Sequence, residues 1–501
     1  MASYNQTEED NMSKPRLVVV SNRLPIVLNK QQNDWIVLPG SGGLVTALSP
    51  VLRHRGGLWI GWLGLSEKES PGNERIHEFL AKGTDDTGYA LQPIALSEHE
   101  IDLYYHGFSN EILWPLFHDQ PIRGNFNPAY WDAYLEVNRK FAASIAEHTD
   151  EEDYIWVHDY QLIQVANELK QLGVRRKIGL FLHIPFPPLD IYLSLPWRFQ
   201  ILEGLLDYDL LGFQTMRDRR NFLGCVRALK KGRVRGKGPV CTLMTPEREL
   251  RVGAFPISID FKEFDHAAST EEVSKEAWIA HANLPNLKII LGVDRLDYTK
   301  GIPVRLKAFA DALERYPQMH GKVALLQVVV PSRRGVGAYE QLKHEIECLV
   351  GEINGRFTQV GWTPVHYIFR SLTRTELIAY YRTCEIALIT PLKDGMNLVA
   401  KEYCACSIEE NGVVILSEFA GAAAQMYQNA ILVNPYDIRG TADAIYQAFC
   451  MQQDERRRRM RRLRRSIRKN DIFRWVNAFL KAGIAKDLND FSQLDYYLPQ
   501  E

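Results

Sequence analysis

The sequence predicts an α/β fold of two facing Rossmann-like domains, each a parallel sheet with helices on both faces. Short apolar runs alternate with helical patterns along most of the chain, the order expected of βαβ units. The pattern restarts around Phe255-Pro-Ile-Ser-Ile-Asp260, where a second first strand follows. The first strand of each half also runs into an Arg-bearing loop, Leu17-Val-Val-Val20 into Arg23 and Leu287 to Val293 into Arg295. The expected division is a disordered tail over 1–14, an N-terminal domain over 15–255 and a C-terminal domain over 256–473.

Composition narrows the function classes. A chain of 501 residues suggests about two to three domains, and its 46% hydrophobic content is ordinary for a globular protein. A net charge of -1 gives no global attraction to nucleic acid or an anionic membrane, so any anion binding is local. The polar, acidic segment Met1 to Lys14 is unlike a signal peptide. No apolar run approaches the roughly 18 residues of a membrane span. The expected location is cytoplasmic. Seven scattered cysteines are read as reduced, buried thiols. Cys404 and Cys406 lack a second pair or a nearby His at zinc spacing, so no metal site is expected.

In chain order, the first strand is followed by Ser21-Asn-Arg-Leu-Pro25, a turn-rich stretch and Gly40-Ser-Gly-Gly43, where a helix pattern starts. Strand, loop, glycines, helix is the shape of a phosphate- or sugar-facing opening, although the dinucleotide spacing Gly-x-Gly-x-x-Gly is absent. Then come Leu58 to Trp62, Tyr104 to Asn110, Trp114 to His118 and a helix pattern over about Trp131 to Glu147. Strands reappear as Tyr154 to Asp159 and Ile178 to His183; the latter ends in Ile184-Pro-Phe-Pro-Pro188, whose prolines forbid helix. In the second half, Val323 to Val330 ends in Pro331-Ser-Arg-Arg-Gly335. The run Ile386 to Thr390 passes Pro391, Asp394 and Gly395 into a helix at about Asn397, and Gly412 to Ser417 follows. A strand entering a helix through such a loop offers free N–H groups and a positive helix end to an anion.

Four cations, Arg23, Arg295, Lys300 and Arg333, follow apolar strands. One Arg after a strand is ordinarily a salt-bridge partner. Four at strand ends in two half-domains imply two phosphate positions, because Arg forks phosphate oxygens and Lys acts as a point charge. Asp394 and Glu402, about two helical turns apart, suit the hydroxyls of a sugar and a ribose. In the first half, Tyr105 and Trp114 suit a sugar's apolar face and its phosphate, and Asp159 and His183 suit hydroxyls. Either aromatic alone reads as core, and His183 beside Pro185 as a structural histidine. There is no Gly-x-x-x-x-Gly-Lys-[ST], His-Glu-x-x-His or Gly-x-Ser-x-Gly, which disfavours P-loop hydrolysis, zinc proteolysis and serine-esterase chemistry. Met460, Leu463 and Ile467 recur at helical spacing through the Arg-rich run Arg456 to Lys469, which therefore reads as an amphipathic helix rather than a nucleic-acid patch.

Seven ordered segments carry a resemblance: Ser21-Asn-Arg-Leu-Pro25, Gly42-Gly43-Leu44, Trp156 to Leu162, Leu182 to Pro187, Asp209 to Thr215, Gly292 to Gly301 and Pro391 to Tyr403. Together they resemble the α,α-trehalose-6-phosphate synthase family, over about Arg16 to Ala482. The resemblance implies a GT-B fold with the active site in the cleft, and a last helix at about 474–490 returning to the first domain. It implies a retaining, metal-independent glucosyl transfer from UDP-glucose, or GDP- or ADP-glucose, to glucose 6-phosphate, without a cofactor. By similarity, Arg295 and Lys300 hold the diphosphate and Glu402 the ribose. Asp394, Gly43 and the backbone of Met396, Asn397 and Leu398 hold the donor glucose. Arg23, Tyr105, Trp114 and Arg333 take the acceptor phosphate, with Asp159 and His183 against the acceptor sugar. The catalytic set is Asp159, His183, Arg295, Lys300 and Asp394. The partners implied are a nucleotide sugar and a sugar phosphate, with no nucleic acid and no membrane; assembly as a homo-oligomer is left open.

Two positions depart from the family pattern, both expected to flank the acceptor phosphate. Asp119 stands where Tyr is usual, and Arg334-Gly335 where an acidic residue is usual. The alternatives are another phosphorylated acceptor, such as glycerol 3-phosphate or a cyclitol phosphate, or a non-catalytic regulatory subunit. The latter is free to lose Arg295, Lys300, Asp394 or Glu402, and all four are present.

Overall fold

The computed structural model describes residues 16–31, 34–40, 43–70, 79–80, 88–120, 126–282, 284–332 and 337–484. The expected tail over 1–14, Arg333 to Gly335, and the part of the last helix beyond 484 lie outside these residues.

The first half supplies β1 (Leu17–Arg23), a hairpin of β2 (Ile26–Gln31) and β3 (Asp34–Pro39), then β4 (Leu58–Ser66), β5 (Ala90–Leu96) and β6 (Tyr154–His158). It continues with β7 (Lys177–Phe181), β8 (Leu210–Phe213), β9 (Arg233–Arg235), β10 (Val240–Met244) and β11 (Glu249–Ala254). Nine of these form one sheet in the order β5-β4-β1-β6-β7-β8-β11-β10-β9. It is parallel except for β10, which runs antiparallel to both β11 and β9. The second half supplies β12 (Lys288–Arg295), β13 (Val323–Val330), β14 (Val365–Phe369), β15 (Ile386–Ile389), β16 (Val413–Ser417) and β17 (Ile431–Val433). They make a six-stranded, all-parallel sheet in the order β14-β13-β12-β15-β16-β17. Both faces of each sheet are covered, so the strands read as continuous apolar runs; Val18 to Val20 and Leu325 are wholly buried.

Strand order reverses beside β1 and beside β12, at the β1/β6 and β12/β15 pairs. In open α/β sheets such switch points leave a crevice at the carboxyl ends of the strands. Arg23 ends β1, Asp159 follows β6, Arg295 ends β12 and Thr390 follows β15. The two crevices face each other.

The halves are joined at both ends of the second. Residues 255–260 run extended, and the helix Ile472–Ile484 returns to the first sheet. Its Phe479 ring stacks on Trp156 with centroids 4.4 Å apart and an interplanar angle of 7°. Trp475 meets Phe181 edge-on at 5.0 Å. The sequence explains this anchor, since Trp475, Val476, Phe479 and Leu480 repeat at helical spacing and are all buried.

The helix expected over Trp131 to Glu147 runs Pro128–His148, because Asn127 caps it through Ala129 N and Pro128 opens it. The Arg-rich segment is the amphipathic helix Gln453–Lys469, with Met460, Leu463 and Ile467 buried. Residues Ile101–Leu113, which carry Tyr104 and Tyr105, wind as a π-helix, a form whose wider turn no 3.6-residue period would reveal. One expectation is corrected: all seven cysteines are free, but Cys348 and Cys450 are exposed, on outward faces of helices. Among the described residues no helix is long and apolar enough to cross a membrane.

Candidate active site

The two crevices touch through a glycine. A Cβ built on Gly395 would lie 2.0 Å from the carbonyl oxygen of His183 and 3.2 Å from Ile184 Cα. The loop after β15 therefore rests directly on the loop after β7, and any side chain there would hold them apart. Gly421 performs the same service inside the second domain, where a Cβ would lie 1.8 Å from Gly395 O. The loop is further pinned by Leu392 N donating to Thr299 O at 2.8 Å and Ala422 N to Met396 O at 2.8 Å.

On the second-domain wall, Lys300 Nζ lies 2.6 Å from Asp394 Oδ2, each side chain 14% exposed. Asn397 Nδ2 donates to the same oxygen at 3.1 Å. Burial pushes the Asp394 carboxyl up, but Lys300, His118 and Asn397 outweigh it and hold the group below its ordinary range. It is a fixed anion. Asn397 adopts φ 70° and caps the helix Leu398–Cys406, accepting from Ala400 N. That helix points its first amides, Leu398 among them, out of its end. Glu402, one turn on, accepts from Tyr381 Oη at 2.9 Å, and burial raises its carboxyl. Lys300 closes a short turn, Tyr298–Lys300, and Gly301 follows at φ 65°, a left-handed conformation that glycine adopts freely. Beneath this turn the fully buried Arg305 donates to Asp294 Oδ2 at 2.5 Å, Thr390 Oγ1 at 3.0 Å and Lys300 O at 3.3 Å. Arg305 ties β12, its following turn and the end of β15 into one rigid unit. Arg295 is exposed to the cleft and has no ion-pair partner among the described residues.

On the first-domain wall, Asp159 holds φ 75° and ψ 174°, a costly backbone conformation for a residue with a Cβ. Its Oδ1 accepts from His183 N at 3.1 Å. Burial raises its carboxyl to about 7, against the pull of the His183, Tyr160 and Ile184 amides and of Arg295 across the cleft. His183 Nε2 is 3.0 Å from His158 Nδ1. Burial lowers both imidazoles, His183 to about 3, so both are neutral. His158 Nε2 is buried without a hydrogen-bond partner among the described residues. The proton belongs on His158 Nδ1, since the other tautomer buries an unpaired N–H, which costs more than an unpaired ring nitrogen. His183 then carries its own proton on Nδ1. Arg23 lies over the Trp62 ring at 4.2 Å and within 5.7 Å of Tyr105. Trp114 is buried in the first-domain core, its ring 4.2 Å from His118 and 5.8 Å from Tyr160. Gly43 begins the helix Gly43–Arg55.

The structure thus brings Lys300, Asp394, Met396, Asn397 and Leu398 together, sets Asp159 and His183 against Gly395, and joins Arg23 to Tyr105. Glu402 lies one helix turn deeper, and Arg333 is outside the described residues. Asp119 pairs with Lys393 of the facing domain. It sits in the left-handed region at φ 55°, two residues after the short helix Trp114–Phe117. Trp62, His158, Arg305 and Tyr381 escaped the sequence reading. Each joins a partner far along the chain, and no local pattern marks them. Among the described residues no three His, Cys, Asp or Glu side chains are placed to hold a metal.

The profile of glycosyltransferase family 20 matches residues 15–483. The trehalose-6-phosphate synthase of Mycolicibacterium gilvum is 42% identical over 494 residues, 97% of this chain and 97% of the relative. That of Mycobacterium tuberculosis is 43% identical, covering 93% of this chain and 94% of the relative. The α,α-trehalose-phosphate synthase (UDP-forming) of Burkholderia xenovorans, solved in complex with glucose-6-phosphate, superposes with a TM-score of 0.83 at 36% identity. That match covers 93% of this chain and 99% of the other. The E. coli trehalose-6-phosphate structure bound with UDP-2-fluoro glucose gives 0.83 at 39% identity, covering 93% and 98%.

Proposed function

Since the chain belongs to glycosyltransferase family 20, with a GT-B fold, we propose that it moves glucose from UDP-glucose to glucose 6-phosphate with retention, giving α,α-trehalose 6-phosphate and UDP. The observation that carries this reading is the pairing of two unlike walls. One has Lys300, the anionic Asp394, an outward helix end and Arg295, which has no ion-pair partner among the described residues; the other has Asp159 and neutral His183, in contact with it through Gly395. A diphosphate suits the first and a hydroxylated acceptor the second.

In this reading Arg295 and Lys300 take the diphosphate and Glu402 the ribose. Asp394, Gly43, Met396, Asn397 and Leu398 surround the donor glucose. Arg23, Tyr105, Trp114 and Arg333 take the acceptor phosphate, and Asp159 and His183 orient the acceptor hydroxyl. The reaction is a same-face displacement through an oxocarbenium-like state. The C1–O bond to the leaving phosphate breaks as the acceptor oxygen bonds to C1, and the acceptor's proton passes to the departing phosphate oxygen. Arg295 and Lys300 stabilise the charge growing on that phosphate as the bond breaks. Hydrolytic retention uses a carboxylate nucleophile. Asp394, engaged by Lys300 and Asn397, is here a binder of hydroxyls. Closure of the two domains over the donor excludes water from the transfer. A cytoplasmic enzyme supplied with both small-molecule substrates completes the reading.

The test is UDP release by purified protein given UDP-glucose with glucose 6-phosphate, with glycerol 3-phosphate, or with neither. Release that requires glucose 6-phosphate supports the proposal. Release with glycerol 3-phosphate alone, or silence with every acceptor and with GDP- and ADP-glucose, refutes it.

A further inference from the structure

A cavity of about 420 Å³ lies between the two domains, behind the Asp119–Lys393 pair. None of Arg23, Tyr105, Asp159, Lys300, Asp394 or Glu402 lines it. Its volume falls within the range of about 300–1,000 Å³ typical of small-molecule sites. From the first domain come Arg217, Arg220 and Asn221, spaced to share one face of the helix Met216–Lys230. From the second come Lys393 and Tyr436.

The wall carries three cations, Arg217, Arg220 and Lys393, against the one carboxylate of Asp119. Asp218, next along the helix, turns inward to Thr215 Oγ1 and Phe186 N. Two polar atoms of the lining are buried without hydrogen-bond partners among the described residues: Arg217 Nε, a donor, and Asp119 Oδ1, an acceptor. Unpaired buried polar atoms are costly and call for an explanation. A phosphoryl group supplies the acceptor that Arg217 lacks, but brings only repulsion to Asp119. A hydroxyl supplies the donor that Asp119 lacks. A ligand carrying both satisfies both atoms, and the Tyr436 ring at the mouth offers a flat face to a sugar. Asp119 itself sits in the left-handed region of the backbone. Its φ of 55° is one of six positive values among the described non-glycine residues, and two others, Asp159 and Asn397, are in the active-site cleft.

We propose that this cavity is a second ligand site, for a phosphorylated sugar, whose phosphate is held by Arg217, Arg220 and Lys393 and whose hydroxyl is held by Asp119. Because the ligand touches both domains, its occupancy sets their separation and so modulates the transferase. Among the described residues, none assigned to the acceptor phosphate pocket lines the site, although His118 of its lining packs on Trp114; its existence does not depend on which acceptor that pocket takes.

The test is calorimetric titration with three probes, glucose 6-phosphate, inorganic phosphate and glucose. The proteins are the intact chain, Arg23→Ala, and Arg23→Ala combined with Arg217→Ala and Arg220→Ala, each checked for unchanged thermal unfolding. Glucose 6-phosphate is expected to bind Arg23→Ala once per chain and to weaken by about tenfold or more in the triple variant. Inorganic phosphate is expected to bind more weakly and glucose not at all. Loss of all binding in Arg23→Ala, or a triple variant that titrates like Arg23→Ala, overturns the proposal. Equal affinity for phosphate and glucose 6-phosphate overturns the assignment to a sugar phosphate.

Discussion

Replacing Gly395 by Ala separates folding from catalysis more cleanly than any substitution of a charged residue. Gly395 is not at a positive φ, so the local backbone accepts Ala. Such an exchange removes unfolded-chain entropy worth about 0.4–1 kcal/mol. The new Cβ, however, lies 2.0 Å from His183 O, whereas real Cβ contacts stay beyond 3.0 Å. The obstacle is backbone in another domain, which no rotamer change relieves, so the loops must part by about 1 Å. A misplacement of that size costs on the order of a hundredfold in rate, or about 2.7 kcal/mol in the barrier. The Lys300–Asp394 pair and the Tyr381–Glu402 bond both lie within the second domain, so the parting need not break them. The expectation is therefore a kcat about a hundredfold lower, UDP affinity within a factor of about three, and a thermal midpoint close to the parent's. Steady-state kinetics, UDP calorimetry and thermal unfolding read the three. A kcat within about threefold of the parent would show that this contact is not part of the working geometry. Loss of UDP binding would show that the donor wall is not independent of it.

Arg295→Ala removes an exposed cation without a partner among the described residues, so stability holds while kcat falls by about a hundredfold or more; near-normal turnover would remove Arg295 from the mechanism. Asp159, raised to about 7, titrates in the working range, and the ionised carboxylate is the form that accepts a hydroxyl. Activity is expected to rise through about pH 7, and Asp159→Asn to be slow with that inflection lost; an inflection kept in the variant contradicts this. For stability the sign is opposite: a carboxyl raised from 3.8 contributes stability present below pH 3.8 and lost as pH rises through about 7. Lys401 is buried at the inter-domain link, donating to Ile257 O at 2.6 Å and Gln425 Oε1 at 2.8 Å, and burial lowers it from 10.5 to about 7. Its contribution to stability is present above pH 10.5 and lost as pH falls through about 7, a slope approaching about 1.4 kcal/mol per pH unit. Lys401→Met is expected to flatten that slope in urea titrations between pH 7 and 9; an unchanged slope refutes the assignment.

Much of the fold was legible because its signals are local. Apolar strands buried on both faces give unbroken runs, so Leu17 to Val20 and Val323 to Val330 announce themselves, and each switch point is marked by the Arg that ends its first strand. The segment Pro391 to Tyr403 likewise shows its strand, loop and helix in one stretch. What escaped depends on distance or on geometry without a period. Asp119 meets Lys393 across 274 residues, a pairing that no local pattern announces. Arg305 looks like any polar position of an amphipathic helix until Asp294, Gln327 and Thr390 converge on it. The π-helix that presents Tyr105 has no 3.6-residue repeat to read. His158, at the end of a buried strand, is told from a packing residue only by the His183 nitrogen 3.0 Å away.

The most direct measurement is the structure of the product itself. Protein incubated with UDP-glucose labelled at C1 of the sugar and with unlabelled glucose 6-phosphate should convert the label into one non-reducing disaccharide phosphate. Both anomeric carbons should be α by NMR, with one UDP released per disaccharide. A β-linked or reducing product, or UDP released with free glucose alone, would contradict retention, the acceptor, or the water-excluding cleft on which the account rests.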